Sequence, residues 1–248
     1  YLMLRYTPEV DWSKVPPTKA ETVVVVDTSA GGDEPSRALR TAAAEAVLRA
    51  LADEDRFALV ALDVRPVVLY PDKGLAGPTE ADVSRALEKL SSYTVGGATD
   101  LGSMFETALE RLHGADAPAV VYVGDGVPTS GETATDALLA RMRRSFTGSR
   151  ARLFTVGVGS AARHDTLTRL AHAGGGQHAR IAEVEDTTGQ ALRLVGAVKG
   201  PTITELSLDL GAGLDEPFWS VDGKVSRGEE VVLLARTHHP LPARAKVK

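Results

Sequence analysis

The sequence predicts an α/β fold: a doubly wound, mostly parallel six-stranded sheet of order 3-2-1-4-5-6, with a small β unit formed by the two chain ends. Three observations predict it. Apolar runs such as Val23–Val26 and Ala119–Val123 have no polar alternation, as expected of parallel strands buried on both faces. These runs alternate with stretches of helical periodicity, the signature of βα units. Two of the runs end in aspartate, at Asp27 and Asp125, where open α/β sheets gather their ligands.

Each element follows from its own pattern. After the strand Thr22 to Val26, the residues Leu39, Ala43, Ala46, Val47, Ala50 and Leu51 recur at helical spacing and predict an amphipathic helix on the sheet. Phe57 to Leu62 and Val67 to Tyr70 read as strands joined by Asp63-Val64-Arg65-Pro66, a hairpin that makes the second an antiparallel edge. Thr79-Glu80-Ala81-Asp82 is a capping box for a helix carrying Val83, Leu87 and Leu90. Leu101, Phe105, Ala108 and Leu112 give the next helix. Then come strand Ala119 to Val123, a helix around Leu138 and Met142, strand Arg152 to Val158, a helix around Leu167 and Leu170, strand Gln177 to Ile181 and helix Gln190 to Lys199.

The tail changes period. Beyond Gly200-Pro201, Thr202 to Leu210 alternates, and Glu216 to Val221 and Glu229 to Arg236 read as strands around the turns Asp222-Gly223 and Arg227-Gly228. Tyr1 to Tyr6 alternates too, and Asp11 to Ala20 with Pro16-Pro17 reads as a linker. The expected division is therefore residues 1–20 as strand and linker, 21–198 as the α/β domain and 199–248 as a β segment. Tyr1 to Tyr6 and Thr202 to Leu210 are expected to be neighbouring strands of one sheet, since neither buries its apolar parity alone.

Three distant segments can form one oxygen-rich cation site: Asp27-Thr28-Ser29, Gly96-Gly97-Ala98-Thr99-Asp100 and Gly124-Asp125-Gly126. Asp27 and Asp125 supply carboxylates from two central strand ends, and Ser29 and Thr99 supply hydroxyls. That set suits a hard cation, Mg²⁺ or else Mn²⁺ or Ca²⁺, with room for a partner's oxygen. The same aspartates would serve equally to cap the loops and helices that follow their strands.

These segments resemble the von Willebrand factor type A domain, whose metal-ion-dependent adhesion site reads Asp-x-Ser-x-Ser, a distant Thr and a distant Asp-Gly. The likeness covers about residues 20 to 198, including Leu51 to Val60, Gly96 to Leu112, Phe154 to Ser160 and Leu167 to Ile181. The ends resemble the flanks found in bacterial proteins where an inter-α-trypsin-inhibitor-type domain precedes such a module. The resemblance implies metal ligands Asp27, Ser29, Thr99 and Asp125, and a protein partner whose Asp or Glu completes the coordination sphere. It also implies a further N-terminal domain in the same protein, an extracytoplasmic or cell-surface setting, and no enzymatic activity. The chain departs from the motif at Gly31, where the second Ser should stand, and at Gly124, where the family often has Thr. Asp33 or water is the expected substitute ligand for Gly31.

The remaining features narrow the classes. Net charge is −5, so nucleic acid and anionic membrane are not favoured partners, and the apolar runs are too short to cross a membrane. With no cysteine there are no disulfides, thiolate metal sites or cysteine nucleophile. A Mg²⁺-dependent phosphohydrolase with Asp27 as nucleophile lacks the acid or base two residues on. Gly157-Val158-Gly159 reads as a strand-to-helix turn rather than a dinucleotide fingerprint, and the arginines at 141, 143, 144, 150 and 152 as a solvated face. The histidines are scattered without hydrolase spacing, and Trp12, Phe218 and Trp219 read either as contacts for a missing domain or as core of the β unit. An interaction module with a bound cation leads. A domain that keeps the fold for assembly without metal is the alternative.

Overall fold

The computed structural model describes residues 1–11, 14, 18–30, 34–94, 96–112, 117–203, 208–209, 214–219, 225–226, 230–237 and 246–247. The chain divides into two compact units, Thr18–Lys199 and a second formed from both ends, Tyr1–Pro17 with Gly200–Lys248.

In the terminal unit β1 (Leu2–Tyr6) alternates half-buried and exposed residues. The larger unit begins with β2 (Glu21–Asp27), α1 (Glu34–Arg49), β3 (Arg56–Leu62), β4 (Pro66–Tyr70), α2 (Glu80–Ser91) and α3 (Met104–Arg111). It continues with β5 (Pro118–Gly124), α4 (Thr135–Phe146), β6 (Arg152–Val158), α5 (His164–Ala173), β7 (Gly175–Ile181) and α6 (Thr187–Lys199). Its six strands lie in the order β4-β3-β2-β5-β6-β7, which is the predicted 3-2-1-4-5-6, and only the edge strand β4 runs antiparallel.

Strand parity divides the core. Val24 and Val26 point with Leu59, Val121 and Phe154 into a layer closed by α1, α2 and α6. Val23 and Val25 point with Val60, Val120 and Tyr122 into a layer closed by α3, α4 and α5. Both faces of the central strands are thus buried, which is why their sequences show no alternation. Thr79 caps α2 as the sequence predicts, its hydroxyl accepting from the Asp82 amide.

The terminal unit corrects one expectation. After β8 (Thr202–Ile203), β9 (Leu208–Asp209), β10 (Leu214–Trp219) and β11 (Val225–Ser226) come β12 (Val231–Thr237) and β13 (Lys246–Val247). Among the described residues the partner of β1 is β12, with Leu4 opposite Leu233, and the described parts of the segment from Thr202 to Leu210 pair elsewhere. β8 pairs with β11, and β9 with β13. The physical reason is parity: Leu2, Leu4 and Tyr6, the half-buried side of β1, stand opposite Ala235, Leu233 and Val231, the buried side of β12. Leu206, Leu210, Trp12, His238 and His239 lie outside the described residues.

Candidate functional site

The carboxyl ends of β2, β3 and β5 form one rim, and the loops leaving them are joined by backbone hydrogen bonds. Ser29 bridges to Gly96, the Ala30 amide donates to the Gly96 carbonyl at 2.6 Å, and the Asp100 amide to the Asp63 carbonyl at 2.8 Å. The amides of Thr129 and Ser130 both donate to the Thr99 carbonyl at 3.0 Å, and the Thr129 hydroxyl accepts from the Thr99 amide at 2.8 Å. On the far side the Arg163 amide donates to the Asp125 carbonyl at 2.7 Å. Asp27, Ser29 and Thr99 are each about 2% exposed in this rim, and Asp125 is half-buried beside them. Gly31 and Asp33 lie outside the described residues.

Asp27 is held on all sides. Its Oδ1 accepts from the Ser29 amide at 2.9 Å and its Oδ2 from the Tyr122 hydroxyl at 3.0 Å. Tyr122 stands on the same sheet face, and its oxygen also accepts from the Gly126 amide at 3.1 Å. Burial, with the charges of Asp27 and Asp125 beside it, keeps that phenol well above its ordinary pKa, so it stays a neutral donor. Asp125 Oδ1 accepts from the Val127 amide at 2.9 Å. Its pKa is raised, first by loss of water and then by the Asp27 charge.

The residue that sequence reasoning missed is Arg40. It projects from α1 into the rim with its side chain only 2% exposed. Nη1 donates to the Asp27 carbonyl at 3.2 Å and lies 3.3 Å from Asp27 Oδ1, while Nη2 donates to Asp125 Oδ2 at 2.6 Å. One guanidinium therefore spans both carboxylates that the sequence assigns to a cation. A signal was present: Arg40 shares the buried stripe of α1 with Ala43, Ala44, Val47 and Leu48. A charged residue on such a stripe is almost never buried without a partner.

A resident divalent ion does not fit beside this arrangement. Two unit charges about 4 Å apart repel by about 4 kcal/mol at an effective dielectric constant near 20, so a dication against the guanidinium meets about twice that. The Arg40 guanidinium lies against Asp27 Oδ1 and Asp125 Oδ2, the oxygens through which a shared ion would bridge the two carboxylates.

Elsewhere, two residues that the sequence left scattered meet. His164 Nδ1 lies 3.0 Å from His178 Nε2, and His178 Nδ1 lies 2.9 Å from the Thr155 hydroxyl, which donates to the Leu167 carbonyl at 3.0 Å. That chain of donors puts the His178 proton on Nδ1 and the bridging proton on His164 Nδ1. Burial and the neighbouring His164 lower the His178 pKa to about 4. The arginine cluster is likewise not simply a solvated face: Arg141 pairs with Glu106 and Glu132, and Arg152 is buried against the Ala197 and Val198 carbonyls that end α6.

A family model described as von Willebrand factor type A domain matches residues 20–179. The chain is 25% identical over 231 residues to inter-alpha-trypsin inhibitor heavy chain H6 of Homo sapiens, covering 88% of this chain and 17% of that protein. Among solved structures, a von Willebrand factor type A protein from Catenulispora acidiphila superposes with a TM-score of 0.69 at 17% identity, over 93% of this chain and 64% of the other. Proximal thread matrix protein 1 from the mussel byssus, in a form with zinc occupying its MIDAS motif, superposes with a TM-score of 0.56 at 11% identity, over 76% of this chain and 50% of the other. The family model spans most of the unit Thr18–Lys199, and the sheet and rim are those described above: the chain belongs to the von Willebrand factor type A family.

Proposed function

We propose that this chain is a protein-interaction module that docks its partner on the carboxyl-end rim of the sheet. The observation that carries the reading is the stitching of the 28–30, 96–100 and 125–130 loops into one surface by backbone hydrogen bonds. A preorganised surface gives up little entropy on docking. Exposed groups lie beside it, including Val64 at the end of β3, 54% exposed, and Thr129.

The family resemblance would have such a module bridge a partner's carboxylate through Mg²⁺ held by Asp27, Ser29, Thr99 and Asp125. Arg40 between the two carboxylates favours the metal-free form of the same module. Two carboxylates against one guanidinium leave this group acidic, and the Asp63 carboxylate beside Gly96 adds to it, so the complementary partner group is a hydrogen-bond donor or a cation. A hydrolase would need Asp27 as an attacking group. With both oxygens engaged and the side chain buried, that reading is set aside. Among the described residues no helix is long and apolar enough to cross a membrane. A larger extracytoplasmic protein, as the resemblance implies, is part of this reading.

The test is site-specific photo-crosslinking in the native cells, with the photoreactive residue at Val64 on the rim or at Asp53 on the opposite rim. A protein adduct from Val64 that is absent from Asp53, and lost when Asp125→Arg is added, is the expected result. Equal adducts from both positions, insensitive to Asp125→Arg, would overturn the reading.

A further inference from the structure

We infer that Arg40 is a built-in replacement for the metal ion: its guanidinium, tethered to α1, takes the cation position between Asp27 and Asp125, so the rim keeps its shape without a divalent cation and excludes one.

Four observations converge on this site. The first is geometric, since Arg40 reaches Asp27 Oδ1 at 3.3 Å and Asp125 Oδ2 at 2.6 Å with its side chain almost wholly buried. A long charged side chain loses much rotamer freedom when fixed in this way, and only strong, directed partners offset that loss. The second is Tyr122, whose hydroxyl occupies the remaining oxygen of Asp27. The third is Gly124. A Cβ there would lie 2.2 Å from the Tyr122 hydroxyl and 2.5 Å from Asp27 Cβ, so the phenol fills the space that a side chain before Asp125 would need. The fourth is Gly31, which offers no side-chain ligand where the family motif places a serine. A site closed by an internal guanidinium accommodates all four features, and the first leaves no place for a dication between the two carboxylates.

The consequence is a change of regulation. A free ion occupies its site according to its concentration, but a tethered cation is present at a high and fixed effective concentration. The rim of this chain should therefore be indifferent to chelators and to ambient Mg²⁺. This deepens the docking reading, yet its test involves no partner, so a failure of one is distinguishable from a failure of the other.

The experiment is calorimetric titration of the full chain with MgCl2 and MnCl2, with Tm recorded in EDTA and in millimolar MnCl2. The wild type, Arg40→Met, Arg40→Lys and Arg40→Met with Asp125→Ala are compared. Expected are no binding heat and an unchanged Tm for the wild type and for Arg40→Lys. Arg40→Met should have a lower Tm and gain Mn²⁺ affinity by about tenfold or more, restoring part of the lost Tm, and the double variant should lose that gain. Should Arg40→Met not fold alone, refolding yield with and without MnCl2 becomes the readout, and rescue by Mn²⁺ is expected. Wild-type Mg²⁺ or Mn²⁺ binding that raises the Tm and is missing from Arg40→Met with Asp125→Ala would overturn the inference. So would a folded Arg40→Met that binds no metal, or an unfolded one that Mn²⁺ does not rescue.

Discussion

At Gly124 the neighbouring Tyr122 hydroxyl leaves no room for a methyl group. Gly124→Ala should therefore destabilise the chain by about 1–3 kcal/mol, the usual cost of overpacking a core. The cost should shrink only in part in a Tyr122→Phe background, because Asp27 Cβ at 2.5 Å and the ring carbon at 2.6 Å still obstruct the methyl group, and urea unfolding of the four proteins measures the coupling. A second residue-scale prediction concerns pH. His178 has a pKa near 4 in the fold, lowered from 6.5 by burial and His164, so it stays neutral while the unfolded chain takes up a proton. The stability this gives is complete above about pH 6.5 and is lost as pH falls toward 4, by at most about 3 kcal/mol and less because the ring is partly solvated. Asp125, whose pKa is raised, works in the opposite direction. Comparing wild type with His178→Gln at neutral pH and at about pH 5 cancels that contribution and leaves the histidine's own slope. An identical slope in both proteins would show that His178 does not titrate as described.

Among the elements, caps and turns were legible because their chemistry is local. Thr79→Ala should cost about 1 kcal/mol in thermal or urea unfolding, as loss of an N-cap does. The antiparallel edge was equally plain, since Asp63 to Pro66 is too short for a crossover to a parallel strand. Leu101 shows where periodicity misled: it is buried at helical spacing, yet α3 begins only at Met104. Asp100 uses its carboxylate and carbonyl to hold Ser103, and its amide to reach Asp63, so the preceding residues form a turn. Arg152 shows a different limit. Composition placed it in a solvated cluster, but its guanidinium terminates α6 by bonding the Ala197 and Val198 carbonyls. Arg152→Ala should cost about 1–3 kcal/mol in urea unfolding, because it leaves those acceptors without their donor.

For the whole molecule, the sheet order and both rim carboxylates were readable because buried parallel strands carry uninterrupted apolar runs that end at the ligand face. Arg40 was not, since a periodicity reading that counts apolar residues passes over one charge among them. The partner of β1 was misread for another reason: alternation fixes which face a strand buries but not which strand lies beside it. A protein of residues 18–199 should fold alone and keep the rim, whereas deleting residues 1–14 should free an edge of β12, where Leu234 is already exposed. Light scattering would show aggregation of that deletion variant, and a monodisperse product as stable as the parent would contradict it. The rim is organised by an internal guanidinium between Asp27 and Asp125 in place of a metal ion. The most direct measurement is a crystal structure of the whole chain grown in millimolar MnCl2, with data collected at the manganese absorption edge. Continuous density for Arg40 joining both carboxylates and no anomalous peak between them is the result predicted, and a manganese peak there with Arg40 turned away would contradict it.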